Sequence, residues 1–398
     1  MKTLFMNIRN RLKKFNWLYT VHREIKLLKS QRKRLWAYAV KQFEEKHPEH
    51  GSLRNYKRAM RLHRVDFQEY YTYEFWHLSE KERIKYFTER ELKCIYRKIA
   101  NVDESKWLDN KLMTHIKFEK YMRRDWICPS ISSFNSFCQF VSSRDCVVKP
   151  WNGSLGRGVF LIEKDGIGDL QELFNNCRKD NLILEERVQS CKELEAFHPQ
   201  SLNTIRVMTM SKGDRFKVIG CMLRMGVGEH VVDNGSSGGI LAPIDRKTGV
   251  VLGDGRNKEG KIYACHPDTG KVIKGFVVPY WNNVLDACKE MASFIPKKVF
   301  AGWDVCILES GEIELIEVNS GPNIMGLQTA YGYGLRPWIQ DLGKELLGLD
   351  LMKLIPVWSK SLSNYIEYKQ YQRHIQNPDL MLKDYIDYSL KGEGEMLD

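Results

Sequence analysis

At 398 residues, 43% hydrophobic and 28% charged, the chain has the make-up of an ordinary globular protein with room for two or three structural units in one body. It lacks any run of about 18 apolar residues, which excludes a membrane-spanning helix. Its ten cysteines are scattered without a C-x-x-C pair or a short Cys/His box, which argues against a zinc site and a disulfide framework and for thiols in a reducing cytoplasm. The net charge of +12 sits at one end: residues 1–100 hold 25 Lys and Arg against 11 Asp and Glu, and the remainder is close to neutral.

Between Met1 and Leu35 the apolar residues Phe5, Ile8, Leu12, Phe15, Leu18, Val21, Ile25 and Leu28 recur at helical steps among eleven basic residues and one acid. Such a helix can lie on an anionic membrane surface or pack its stripe on the body of the protein, and both readings stand. No nucleic-acid reader motif accompanies the charge, so a nucleic-acid partner is not expected. The opening residues have no apolar h-region, which speaks for a cytoplasmic protein, peripheral at the inner face of the membrane if the helix binds lipid. Residues 36–100 continue as aromatic-rich helical sequence with Ser79 as an N-cap, and no chemistry is legible there.

A helix is expected from Asn110-Lys111 toward Tyr121. Strand Cys146–Val148 then runs into Lys149-Pro150 and a loop with Gly153, Ser154, Gly156 and Gly158. Glycines let backbone N–H groups approach phosphate oxygens while a lysine supplies charge; equally, glycine loops close hairpins for turn reasons alone. Because the glycines lie between two strands and no G-K-[ST] opens a helix, this is not a P-loop. A further strand ends in Glu185-Glu186-Arg187-Val188, and a short helix near Cys191–Phe197 follows. In the strand Asn203–Met210, alternation puts Thr204, Arg206 and Met208 on one face, so Arg206 sits in a buried-looking strand and needs a structural ion pair or a ligand anion. Arg224 ends the next strand, ahead of a loop through Asn234. Ile240–Val251 reads as a hairpin and Pro279–Phe294 as an amphipathic helix.

The stretch from Gly302 to Pro322 reads as two strands, Trp303–Leu308 and Glu312–Val318, joined by a tight Ser310-Gly311 turn with Glu309 facing Glu312. Counting outward sets Asp304 opposite Glu317, with Asn319 on the face of Glu317. Facing carboxylates repel, and a hard divalent cation with oxygen ligands would relieve them; a solvated acidic hairpin is the plainer reading of the same residues.

Taken together, Lys111, Lys149-Pro150 with its glycine loop, Glu185–Val188, Asn203–Arg206 and Asp304…Glu317-Val318-Asn319 resemble the ATP-grasp superfamily in that family's order. Within it the sequence is most similar to the sugar-transfer-associated ATP-grasp family, through LNTIRVMT, VDNGSSGGI and GWDVCIL…LIEVNSGPN. The resemblance spans residues 105–350 and implies an α+β ATP-grasp fold, two α+β subdomains clasping ATP, with residues 1–100 as a basic helical extension and 355–398 as a polar, partly helical tail.

It also implies roles. Lys111 and Lys149 would contact nucleotide phosphates, with Gly153, Ser154, Gly156 and Gly158 in a lid over them. Glu185 would belong to the adenine hinge, main-chain atoms of Glu186 and Val188 reading the base; Glu195 or Glu193 would bind ribose. Asp304, Glu317 and Asn319 would hold two Mg²⁺ (or Mn²⁺) ions, while Arg206, Arg224 and Asn234 would stabilise charge during transfer. Asn110 stands where many relatives have Asp. The activity implied is a carboxylate–amine ligase acting through an acyl phosphate on small acid and amine substrates, sugar-linked in cell-surface polysaccharide or glycan biosynthesis. A phosphotransferase acting on a sugar hydroxyl and a nucleotide-binding scaffold that recruits membrane glycan machinery are the competing readings.

Overall fold

The computed structural model describes residues 53–99, 101–151, 158–228 and 238–355. The basic helix expected over 1–35, the loop positions Gly153, Ser154, Gly156 and Asn234, and almost all of the tail lie outside the described residues. No described helix is long and apolar enough to cross a membrane.

Two antiparallel sheets carry the described chain. The smaller contains β1 (Trp126–Ile127), β2 (Cys146–Pro150), β3 (Phe160–Ile162) and β4 (Leu182–Glu186), in the order β1-β4-β2-β3. Alternation explains its two faces. Cys146, Val148, Leu182 and Leu184 turn toward helices Phe134–Ser143 and Leu170–Lys179, where Phe137, Phe140, Phe174 and Cys177 close the core. Ile183 turns the other way, into a cluster with Leu112, Cys128 and Trp151. By the same parity Lys149 and Glu185 share the face of Ile183, which helix Lys111–Lys117 covers.

The larger sheet contains β5 (Thr204–Lys212), β6 (Arg215–Met225), β7 (Ile240–Ile244), β8 (Gly255–Arg256), β9 (Ile262–Tyr263), β10 (Phe300–Ile307) and β11 (Ile313–Asn319), ordered β11-β10-β5-β6-β7-β8-β9. All eight residues of β10 are buried, because both faces of the sheet are covered. On one face Ala301, Trp303, Val305 and Ile307 join Ile205, Val207, Leu223 and Leu315 beneath helix Trp281–Ser293. On the other, Met208, Met210, Met222 and Phe300 pack under helices Ile324–Tyr331 and Arg336–Leu342.

The helical region before residue 100 is built into this second layer. Its Phe87, Leu92 and Ile95 share a core with Met208 and Met222. Glu89 Oε1 accepts the backbone N–H groups of Ile324 and Met325 at 2.7 and 3.2 Å, and Gln328 is fixed between the main chain of Phe87 and the Tyr73 hydroxyl. Ser79 caps helix Glu80–Arg83 in a reciprocal pair with Glu82.

The β10–β11 hairpin differs from the expected one in its turn. Leu308 faces Glu312 and the loop holds three residues, Glu309, Ser310 and Gly311, with Gly311 at φ +82°; the expected two-residue Ser310-Gly311 turn, with Glu309 opposite Glu312, is not formed. A left-handed glycine closing a three-residue loop accounts for this. The shift is cancelled farther out by a β-bulge: Val305 pairs with Leu315 but Asp304 pairs with Glu317, leaving Ile316 as the extra residue. The inferred Asp304–Glu317 pairing therefore holds, by two compensating irregularities.

Candidate active site

A row of charge crosses the larger sheet. Glu317 on β11 faces Asp304 on β10, and Asp304 faces Arg206 on β5; directly opposed residues share a face, so all three point the same way. Arg206 grips Asp304 through Nε and Nη2, the latter 2.6 Å from Oδ2. Arg224, on the next strand, adds Nη1 at 2.8 Å from Oδ2. Asp304 is only 2% exposed. Burial alone would push its carboxyl up, but the two guanidinium groups outweigh it and hold the pKa below the ordinary aspartate value. In the protein alone, then, two arginines supply the neutralising charge for which the sequence suggested a cation. Of the two alternatives the sequence left open for Arg206, a structural ion pair or a ligand anion, the structure shows the ion pair.

Glu317 is half-buried and makes no ion pair among the described residues. Asn319, opposite Gly302, is half-buried, and its Nδ2 is buried without a hydrogen-bond partner among the described residues. Gly302 is required beside it, since a Cβ there would lie 2.7 Å from Cβ of Pro322.

A second charged cluster lies on the smaller sheet. Glu185, 3% exposed, receives Lys149 Nζ at 2.6 Å, Arg124 Nε at 2.5 Å and His115 Nε2 at 2.9 Å. Burial would raise its pKa; Arg124, Lys149 and the His115 bond instead hold it well below the ordinary glutamate value. Burial lowers Lys149 to about 8, the repulsion of Arg124 and Lys111 adding to it while Glu185 opposes it. Lys149 thus feels the charge of Lys111. Burial likewise lowers His115, favouring neutral imidazole, which stacks on Trp126 with ring centroids 4.8 Å apart.

Asn110 has a local explanation. It is the N-cap of helix Lys111–Lys117, its Oδ1 accepting the N–H groups of Leu112 and Met113, a task Asn and Asp perform equally well. Lys111 N donates to the Trp151 carbonyl at 3.0 Å, joining the start of this helix to the start of the glycine loop. Gly158, at the loop's far end, has φ +72°.

Of the expected hinge, the Glu185 side chain is committed to the ion cluster and Glu186 N donates to the Asp125 carbonyl at 2.8 Å. The main chain of Val188 makes no hydrogen bond among the described residues. Glu193 and Glu195 share the short helix Lys192–Glu195, Glu193 exposed and Glu195 half-buried.

Sequence reasoning missed Arg124, Glu314, His115 and Tyr96. The contacts of the first three reach across 61 to 192 positions, and nothing local in YMRRDW marks one arginine as buried. Tyr96, whose hydroxyl donates to the Pro322 carbonyl at 2.8 Å, lies where Arg206's charge reaches it.

The residues present suit a hard cation. Asp304, Glu317 and Asn319 carry oxygen donors on one sheet face, the donor type such an ion takes; Glu317 has no competing ion pair among the described residues, while both Asp304 oxygens are held by Arg206 and Arg224.

Three solved structures show how far the likeness to known proteins extends. D-alanine–D-alanine ligase from Bacillus anthracis, complexed with ATP, is 16% identical, with 67% of this chain and 68% of that one covered at a TM-score of 0.36. An L-amino acid ligase from Bacillus licheniformis is 14% identical, covering 65% and 50%, at 0.33. The ADP complex of N5-carboxyaminoimidazole ribonucleotide synthetase is 12% identical, covering 54% and 45%, at 0.35. The chain thus spans about half the length of the latter two, and likenesses of this size say nothing of substrate. Comparison with curated proteins gives no match. The family model described as sugar-transfer associated ATP-grasp matches residues 93–344, well over half of the chain, and the protein belongs to that family.

Proposed function

We propose that the protein is an ATP- and Mg²⁺-dependent carboxylate–amine ligase that works through an acyl phosphate and serves cell-surface polysaccharide or glycan assembly. The observation that carries this reading is the row Glu317–Asp304–Arg206 with Arg224 beside it: acidic oxygens and guanidinium groups side by side on one sheet face, in a chain that also sets Lys149 near Lys111. The family supports the ATP-dependent ligase class, and its name supports the link to sugar transfer. The substrates themselves rest on that association.

Asp304, Glu317 and Asn319 would hold Mg²⁺, which when bound neutralises phosphate oxygens as a Lewis acid. ATP is the co-substrate; its terminal phosphoryl group activates a substrate carboxylate, and an amine then displaces phosphate. The chain contributes position and field. Arg206 and Arg224 fix the Asp304 carboxylate and present N–H donors where negative charge gathers. Lys149 and Lys111 offer ammonium groups to the nucleotide phosphates, and Val188 offers to the base main-chain groups that make no hydrogen bond among the described residues.

The reading is tested by ADP release from full-length protein supplied with ATP, Mg²⁺ and a panel of acid and amine pairs. Release that needs both an acid and an amine, with hydroxylamine trapping the activated acid, is the expected result. A phosphorylated product stable to hydroxylamine would overturn it in favour of transfer to a hydroxyl.

A further inference from the structure

Arg124 is a buried cation that grips both sheets at once. Its five N–H donors form a rigid fork. Nε donates to Glu185 Oε2 at 2.5 Å on β4. Nη1 donates to Glu314 Oε1 and, at 2.6 Å, to the Leu315 carbonyl on β11, while Nη2 reaches the Ile316 carbonyl at 3.3 Å. The neighbouring Arg123 N–H donates to the other Glu314 oxygen at 2.9 Å.

The position on β11 gives these bonds their meaning. Glu314 faces Cys306 and Glu317 faces Asp304, and Cys306 and Asp304 lie on one face of β10. Glu314 and Glu317 therefore share that face although three positions separate them, which a regular strand with its period of two forbids. The extra residue Ile316 makes it possible. Arg124 binds the side chain just before the bulge and the carbonyls of Leu315 and Ile316, so it holds the irregularity that turns Glu317 toward Asp304.

The other arm ends at Glu185, which Arg124 shares with Lys149. With His115 favoured neutral, the cluster Arg124, Lys149, Glu185 and Glu314 has two positive and two negative charges. If Lys149 alone faced Glu185, drawing that ammonium toward a phosphate would leave a buried carboxylate poorly compensated, which is heavily penalised. Arg124 keeps the carboxylate paired throughout.

We propose that Arg124 is a positioning residue that joins the two halves of the site: it holds the β11 bulge that aims Glu317 at Asp304, and it keeps Glu185 paired so that Lys149 is free to serve a nucleotide phosphate. This rests on the ATP and Mg²⁺ reading given above. Arg124 touches neither reactant; it acts through Glu317 and Lys149.

The test is calorimetric titration of the full chain with ATP, in EDTA and in Mg²⁺, for the unaltered protein, Arg124→Lys, Glu314→Gln and the double variant Arg124→Met/Glu314→Gln, with thermal unfolding as the folding control. In Arg124→Lys, which keeps the charge and loses the fork, both the Mg²⁺-free affinity and the factor by which Mg²⁺ tightens binding fall, each about 10-fold or more. Glu314→Gln lowers the Mg²⁺ factor more than it lowers the Mg²⁺-free affinity. Folded variants that keep both quantities within about twofold of the unaltered chain, whatever their melting temperatures, would reduce Arg124 to a structural strut and overturn the inference. Should both Arg124 variants fail to fold, an unchanged Mg²⁺ factor in Glu314→Gln would overturn it. Absence of ATP binding by the unaltered chain overturns the nucleotide reading and this inference with it, whereas normal binding there and in the folded variants overturns the inference alone.

Discussion

Asp304 and Glu185 are both deeply buried carboxylates held by two cations, yet the cations are gathered in different ways. Those of Asp304 lie in its own sheet, Arg206 directly across the ladder and Arg224 on the next strand. Those of Glu185 come from separate segments: Lys149 from β2, Arg124 from the turn before β1, with His115 from a helix adding a third bond. Strand pairing alone forms the first cluster. Pairing of β1 and β2 with β4 likewise brings Arg124 and Lys149 to Glu185, but the His115 bond needs the helix Lys111–Lys117 in place and the link from Arg124 to Glu314 needs the two sheets packed together, so the second cluster as a whole also reports on tertiary assembly and the first on the integrity of one sheet.

The largest expected effect breaks the first cluster. Asp304→Asn removes the anion between Arg206 and Arg224. Ligase turnover is expected to fall about 10³-fold, and urea unfolding to show a loss of about 3–5 kcal/mol, the usual cost of stranding buried partners. Retention of both would show that the arginines find other partners and that the row is not the site. The acid limb follows from the same charges. Asp304 and Glu185 have depressed pKa values when folded, so their contribution is fully present above the unfolded value of about 4 and is lost as pH falls below it. The unaltered protein should hold its melting temperature down to about pH 5 and lose it steeply below pH 4, and Asp304→Asn should flatten that limb.

Next comes a variant that separates function from stability on one row. Glu317→Gln alters a half-buried side chain with no ion pair among the described residues, so its unfolding free energy should change by no more than about 0.5 kcal/mol. Turnover should nevertheless fall by about 10²-fold, with a higher Mg²⁺ requirement. A stability loss as large as that of Asp304→Asn would mean that Glu317 serves the sheet and not a cation.

The unequal legibility of the two clusters has a physical cause. Asp304 and Glu317 could be paired from sequence because alternation and a short loop constrain the register tightly, even though the turn holds three residues and Ile316 bulges to restore the count. Arg206 could be singled out because a cation in an apolar strand is anomalous wherever the strand packs. Arg124 carries no such mark, since an arginine in a basic turn costs nothing until two sheets close over it. Glu314 reads as the solvent side of a hairpin until its face is known to meet another layer. The docking of residues 53–99 was hidden for the same reason: Glu89 and Gln328 act across 235 and 241 positions, and each alone looks like an ordinary polar residue of an amphipathic helix.

A pH measurement sharpens the comparison from the Glu185 side. Lys149 is lowered to about 8 by burial and by the repulsion of Arg124 and Lys111. It therefore loses its charge within the working range, and ATP affinity should decline as pH rises through about 8. In Lys149→Arg, whose guanidinium stays protonated, that alkaline limb should vanish. Stability moves oppositely: between about 8 and the unfolded lysine value of about 10.4 the unfolded chain binds more protons, so this residue makes the fold more stable as pH rises. Lys298, also lowered to about 8 by burial, adds to the stability trend but not to the ATP profile, so an alkaline limb that persists in Lys149→Arg would transfer the assignment to another group.

The smallest effect concerns Asn110, the N-cap of helix Lys111–Lys117. Its carboxamide oxygen accepts two backbone N–H groups at the start of the helix that carries Lys111 and His115. An aspartate would present the same oxygen with a charge the helix N-terminus favours. Asn110→Asp should accordingly shift the unfolding free energy by no more than about 0.5 kcal/mol, whereas Asn110→Ala should cost about 1 kcal/mol. Because Lys111 N is tied to the Trp151 carbonyl at the head of the glycine loop, loosening that cap should also weaken ATP binding, and the aspartate should not. A large penalty for aspartate would mean that a neutral residue at 110 tunes the charge around the two lysines instead of merely capping the helix.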